Sequence, residues 1–225
     1  MEFLDNVGPN RLGDALRSSI GEDAKLSIIS SYFTIFAYGE LKEELSKVDG
    51  LRLIFSEPTF IHQMQDDKQP REFVLSKRSR ERGIGGINLE LTLKNNLNQR
   101  ALARECADWI RAKADFKSAR QNGIIQSGGT YHIQNTAAES QAFMGASSSF
   151  TLEGLGYERR PGVVSGISHY DTTGESAALK AMFDSVWDNE SMLAEVTDEV
   201  VAQVETLYRE NSPEFVYFLT LYHLS

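Results

Sequence analysis

Leu12–Pro58 reads LGDALRSSIGEDAKLSIISSYFTIFAYGELKEELSKVDGLRLIFSEP, and this stretch decides the fold. LGDALRSSI places its apolar residues on one helical face. KLSIISSYF is β-rich and continuous enough for a strand buried on both sides. AYGELKEELSKV is amphipathic, and the DG that follows stops it. LRLIF is a second short apolar run, ended by SEP. The order is helix, strand, helix, strand. A helix between two strands joins them most simply as parallel neighbours, so an α/β fold is expected.

Working outward, the pattern loosens from Thr59 to Gln99. HQMQDDKQPREF is polar, and VLSKRSRERGIGGINLEL is basic with a glycine hinge at Gly83, Gly85 and Gly86. These glycines do not form a phosphate-binding fingerprint, because no G-x-x-x-x-G-K-[ST] is present and no strand feeds them. LNQRALARECADWIRAKA predicts a strong helix with Leu102, Cys106, Trp109 and Ile110 on one face. DFKSA predicts a short strand. GIIQSGGTYHI and SQAFMGA predict two more, joined by the turn QNTAAE. ERRPGVVSGISHYDTTGE reads as a polar loop. Three helical stretches follow: ESAALKAMFDSVWDNE, LAEVTDEVVAQVETLYREN and PEFVYFLTLYHL. The first stands behind TTGE and the third behind NSPE, both good helix starts. The last is apolar almost all round, which calls for burial on all sides, either at the centre of the core or, the favoured reading, under a following segment that covers it.

Composition sets outer bounds. The chain has 225 residues, 41% of them hydrophobic, which is an ordinary globular make-up for one domain or one domain plus an appendage. No apolar run is long enough to span a membrane, so no membrane association is expected. The start, MEFLDNVGPNRLGDAL, has no signal-peptide core, and a cytoplasmic protein is expected. Cys106 is the single cysteine, which excludes an intrachain disulfide, and its helical setting reads as core packing. Charge is uneven. Residues 151–225 hold 13 acidic and 4 basic side chains, whereas residues 71–120 hold 12 basic and 6 acidic. A polyanion would be drawn to the middle segment and repelled by the tail. The densest basic cluster is Lys77, Arg78, Arg80 and Arg82, a candidate for nucleic-acid phosphate contacts of weak specificity.

Three features together carry a resemblance: the strand–helix–strand start, a late strand bearing His132, and a strand that ends in a Gly/Ser turn before FTLEGL. They resemble the phospholipase D-like (HKD) fold. More closely, the chain is similar to the N-terminal phospholipase D-like region of large bacterial DEAD/DEAH-type, Swi/Snf-like helicases. The residues that carry this are REF at 71–73, RERGIGGINLELTLKNNLNQRALARECADWIRAKADFKS at 80–118, FTLEGLGYE at 150–158 and YRENSPEFVYFLTLYHL at 208–224. The resemblance covers nearly the whole chain. It implies a phospholipase D-like mixed sheet flanked by helices over 1–190. A helical extension over 191–225 would lead toward a helicase core. No Walker A loop or DEAD/DEAH-type box occurs in these 225 residues.

The HKD pattern is H-x-K-x4-D-x6-G-S-x-N. In that family one histidine attacks phosphorus, and a second, from another copy of the motif, protonates the leaving group. Lysines, serines and asparagines hold the phosphoryl oxygens, and no metal or other cofactor takes part. A chain with one motif therefore implies a homodimer. Two registers fit. In the first, His132 takes the histidine position, with Gln134 for the lysine, Glu139 for the aspartate, Ala146 for the glycine, Ser147 for the serine and Ser149 for the asparagine. In the second, Ser127 and Gly129 fall on the histidine and lysine. Spacing favours the first and strand character the second. Both lose the lysine, and a neutral amide does not supply the charge that a phosphoryl transition state requires.

His132, Ser147 and Ser149 are thus the candidate catalytic residues. His62, His169 and His223 are isolated, and no pair has metal-ligand spacing, so no zinc site is expected. The main expectation is an accessory domain of a helicase, catalytically degenerate, that binds nucleic acid (DNA first) or associates with itself. One alternative is a homodimeric, metal-independent phosphodiesterase or nuclease that uses His132. Another is a partner-docking module with no nucleic-acid contact.

Overall fold

The computed structural model describes residues 2–58, 88–125, 128–137, 139–146, 149–158 and 166–208. It is an α/β protein with a mixed eight-stranded sheet. In chain order the elements are β1 (Glu2–Leu4), α1 (Leu12–Ser19), β2 (Lys25–Ser30), α2 (Ile35–Lys47), β3 (Gly50–Phe55), α3 (Asn88–Lys113) and β4 (Ala114–Ala119). They continue with β5 (Gly129–Thr136), β6 (Glu139–Gly145), β7 (Ile167–Tyr170), α4 (Thr173–Trp187), β8 (Leu193–Glu195) and α5 (Thr197–Glu205).

The sheet order is β1-β7-β6-β5-β2-β3-β4-β8. The Leu12–Pro58 reading holds: β2 and β3 are parallel neighbours, with Leu26 opposite Leu51 and Ile28 opposite Leu53. β4 extends the parallel block. β5 then returns antiparallel against the other side of β2, and β6 and β7 follow as antiparallel neighbours. β2 sits in the middle, which is why it is buried on both faces and reads as one apolar run.

Strand alternation sorts the sheet into two faces. Leu26, Ile28, Leu51, Leu53, Phe55, Phe116, Tyr131, Ile133 and Phe143 join a large core with residues of α1, α2, α3 and α5. Ile29 and Ile54 face the other way, against Phe183 and Trp187 of α4. Trp109 Nε1 donates to the Leu45 carbonyl at 2.9 Å, which ties α3 to α2 while burying the indole. α4 begins with a reciprocal cap. Glu175 N donates to Thr172 Oγ1, and Thr172 Oγ1 donates to the Glu175 carboxylate at 3.1 Å, as TTGE predicts. Cys106 is fully buried, and burial pushes its thiol up to about 12. It packs as the core residue its helix predicts.

Three differences from the sequence reading have physical causes. The expected polar loop around ISHY contains β7, four residues too short for period-two alternation to show, held by β6 on one side and β1 on the other. The expected helix from Leu193 opens with β8, and α5 starts only at Thr197. Residues 191–208 also join the main body: β8 pairs with β4, and Val196, Val200, Val201 and Val204 enter the large core. Finally, β5 continues beyond Ile133 through QNT to Thr136, with a register irregularity between Gln134 and Thr136. The polar side chains there sit at the open end of the sheet and are half-buried or exposed. The expected helix at PEFVYFLTLYHL lies outside the described residues. Among the described residues no helix is long and apolar enough to cross a membrane.

Candidate functional site

In open sheets of this kind, ligands favour the carboxyl ends of parallel strands where the chain direction changes. That point here is the end of β2, between β3 and the start of β5. Hydroxyls dominate it. Ser30 Oγ donates to the Tyr32 carbonyl at 2.6 Å and accepts from Phe150 N at 2.9 Å. Ser31 Oγ and Ser56 Oγ lie 2.9 Å apart, and Ser118 Oγ donates to the Glu57 carbonyl at 3.2 Å. Thr130 Oγ1 donates to the Gly128 carbonyl at 3.3 Å. Tyr32 stands out into solvent, 60% exposed.

The FTLEGLG loop folds onto this edge. Phe150 bridges to Phe33, their rings stack at 5.2 Å, and Thr34 N donates to the Phe150 carbonyl. Small residues let the backbones close up. A Cβ at Gly128 would lie 2.6 Å from the Gly145 carbonyl oxygen, and one at Gly154 would lie 2.0 Å from the Ser149 carbonyl oxygen. These glycines make room for close backbone approach. Most of these hydroxyls are buried and donate to protein carbonyls, so the edge is neutral and carries no cation among the hydroxyl-bearing residues named.

His132 is elsewhere. On β5 it stands opposite Ser27 of β2 and Ala142 of β6, on the face that α4 covers. It is 3% exposed, and its Nδ1 is buried without a hydrogen-bond partner among the described residues. Burial lowers its pKa from 6.5 to about 4; Lys180 adds to the lowering and Asp184 opposes it. The imidazole is therefore neutral at neutral pH. Phe150 contacts β2 at Ser30, three residues beyond Ser27, so about 10 Å of strand separates His132 from the Ser149 turn.

The candidate set therefore does not converge. Ser149 is half-buried at the carboxyl edge, and its carbonyl accepts from Thr151 N at 2.8 Å. Ser147 and Ser127 lie outside the described residues. Gln134 and Glu139 sit at the far end of the β5–β6 hairpin, and Gly129 lies directly opposite Gly145. It is thus Gly129, the lysine position of the second register, that borders the turn. Lys77, Arg78, Arg80 and Arg82 lie outside the described residues, as do His62 and His223. His169 stacks on Phe143 at 4.3 Å, and its Nε2 is 2.9 Å from Gln141 Oε1.

The later basic residues of the 71–120 segment have structural partners. Arg111 pairs with Asp108 and Glu205, and Lys113 donates to the Ser46 and Val48 carbonyls. Arg120 donates to the Glu190 and Leu193 carbonyls. Arg104 lies over the Tyr208 ring.

One constellation was not expected from sequence. Above His132, Arg52 Nη2 donates to Asp184 Oδ1 at 2.8 Å, and Lys180 Nζ donates to the same oxygen at 2.6 Å. Arg52 also lies 5.2 Å from the Phe183 ring centre and 5.3 Å from that of Trp187. Burial pushes the Asp184 carboxyl up, but the hydrogen bonds from Lys180 and Arg52 outweigh it and hold the group below its ordinary value. The i,i+4 spacing of Lys180 and Asp184 on α4 was the one local signal of this cluster. Among the described residues no group of three His, Cys, Asp or Glu could hold a metal ion.

Fold and edge together define an α/β protein with a hydroxyl-lined carboxyl edge and a histidine sealed beneath α4. No family model matches the chain, and no curated protein matches it.

Proposed function

We propose that this chain is a phospholipase D-like module that has lost phosphodiester hydrolysis and acts by binding nucleic acid, as an accessory to a helicase motor. The position of His132 carries the non-catalytic half of this reading. A nucleophile must come within about 3–3.5 Å of the atom it attacks. His132 is 3% exposed and stands about 10 Å along the strand from the serine edge. The lysine position is Gly129 or Gln134 in the two registers, so neither register supplies a cation for the phosphoryl oxygens. The mixed sheet flanked by helices agrees with the build that the resemblance implies.

The binding half rests on charge and on the edge. Residues 71–120 are net basic, and the half-buried Ser31 and the exposed Tyr32 present hydroxyls at the carboxyl edge, where a phosphate oxygen would be met. The test is incubation with labelled single- and double-stranded DNA in EDTA, beside His132→Ala. No cleavage is expected from either protein. A mobility shift is expected that weakens as salt rises and on charge reversal at Arg78 and Arg80. Cleavage that disappears in His132→Ala would overturn the proposal in favour of the nuclease. Absence of both cleavage and shift would overturn its binding half and leave self-association or partner docking.

A further inference from the structure

The chain leaves β2 through Ser31 and Tyr32, at the switch point between β3 and β5. Tyr32 is 60% exposed, yet the backbone is pinned on both sides of it. On one side, Ser30 Oγ donates to the Tyr32 carbonyl at 2.6 Å and accepts from Tyr32 N at 3.3 Å. On the other, Phe33 bridges to Phe150, stacks on its ring and meets the Phe116 ring edge-on at 5.2 Å. Thr34 Oγ1 then caps α2 by accepting from Ala37 N. Both neighbours of Tyr32 are thus fixed while its ring stands in water. A large aromatic face on a held backbone is a contact surface that costs little entropy to engage.

The surroundings say what such a ring would meet. Residues 28–34, 53–58, 128–131 and 149–152 build this corner, and they hold no Lys or Arg. Beside Tyr32 lie the Ser31 and Ser56 hydroxyls, 2.9 Å apart, and Glu57 follows them, exposed, at the end of β3. A hydroxyl here meets a phosphate oxygen without charge pairing, so phosphate alone gains little affinity. A nucleobase needs no charge. Every base has a π face that stacks on an aromatic side chain, and its polar rim accepts and donates hydrogen bonds. In a duplex those faces are already stacked on one another, whereas a single strand can splay a base out.

Resting on the nucleic-acid reading above, we propose that the carboxyl edge recognises single strands, with one unpaired base stacked on the Tyr32 ring beside the Ser31–Ser56 hydroxyl pair. Three observations meet here: an exposed ring on a pinned backbone, its place at the switch point of the sheet, and a corner that is polar but without cations.

The test uses the full chain and two probes of equal length and charge, a single-stranded oligothymidylate and an abasic strand. The wild-type chain is expected to bind oligothymidylate about tenfold more tightly than the abasic strand. Tyr32→Ala should lose that preference and keep its affinity for the abasic strand, whereas Tyr32→Phe should retain the preference. Tyr32 is exposed, so the unfolding midpoint of Tyr32→Ala should stay in place, as circular dichroism would check. Equal binding of both probes by the wild-type chain, or a preference that survives Tyr32→Ala, would overturn the proposal and leave the nucleic-acid reading standing. Duplex binding that falls as much as single-strand binding in Tyr32→Ala would also refute it. No binding of either probe would remove both the proposal and the nucleic-acid reading.

Discussion

The two faces of the sheet are built on different rules. One face is covered by α1, α2, α3 and α5 and is lined by Leu, Ile, Phe and Tyr. Among the described residues α4 is the one helix that covers the other, whose side chains change character across the strands. Ala142, His132, Ser27, Arg52 and Asp115 stand in register on β6, β5, β2, β3 and β4. Ala142, His132 and Ser27 are small or neutral, Arg52 meets α4 through Asp184, Phe183 and Trp187, and Asp115 is exposed. The first face holds the fold by apolar burial. The second carries His132, the most suggestive strand-borne polar group, and hides it. A histidine placed under a single helix, with no partner for Nδ1 among the described residues, is a packing compromise, and its burial suppresses the charge that an acid catalyst requires.

This contrast can be broken by substitution, beginning with the apolar face. Phe116 is fully buried against Phe33 and Phe55, so Phe116→Ala should cost about 3–5 kcal/mol in denaturant unfolding. A loss below about 1 kcal/mol would mean that the four-helix face is not the main core. Acid comes next. His132 binds its proton near pH 4 folded and near 6.5 unfolded, so the unfolded chain holds more protons between those values. The His132 contribution is complete above pH 6.5, and stability falls by about 3 kcal/mol as pH drops toward 4. His132→Leu should flatten that part of the pH profile; an unchanged profile would remove the burial account.

Asp184→Asn should cost less, about 1 kcal/mol, because Arg52 and Asp184 are about a third exposed. Its mark should be sensitivity to salt, which Phe116→Ala should lack. The smallest effect belongs to Lys25→Ala. Its ion pair with Asp49 spans 3.5 Å between well-exposed side chains, and a change within about 0.5 kcal/mol is expected. A larger loss would show that the open end of the α4 face contributes more than solvated charge.

The same contrast explains what could be read in the sequence. β2 and β3 were legible because central parallel strands are apolar on both faces. α4 was legible from Thr172 and Glu175, a local capping signal. β1, β7 and β8 have three or four residues each, and only their neighbours define them. At the site, motif spacing joined His132 to Ser147 and Ser149, but the β5–β6 pairing places Gly129 opposite Gly145 and carries His132 away from the turn. The row from His132 through Ser27 to Arg52 spans three strands distant in sequence, and no local pattern announces it.

The central claim is that His132 is a neutral imidazole shut beneath α4, away from the edge where an anion would sit. Proton NMR titration of its ring, assigned by His132→Leu, tests this directly. The account predicts no protonation shift between pH 8 and 5.5 and a midpoint near pH 4 or unfolding before it. A midpoint near the ordinary 6.5, moved by added inorganic phosphate, would contradict it and place the histidine in an open, anion-facing site.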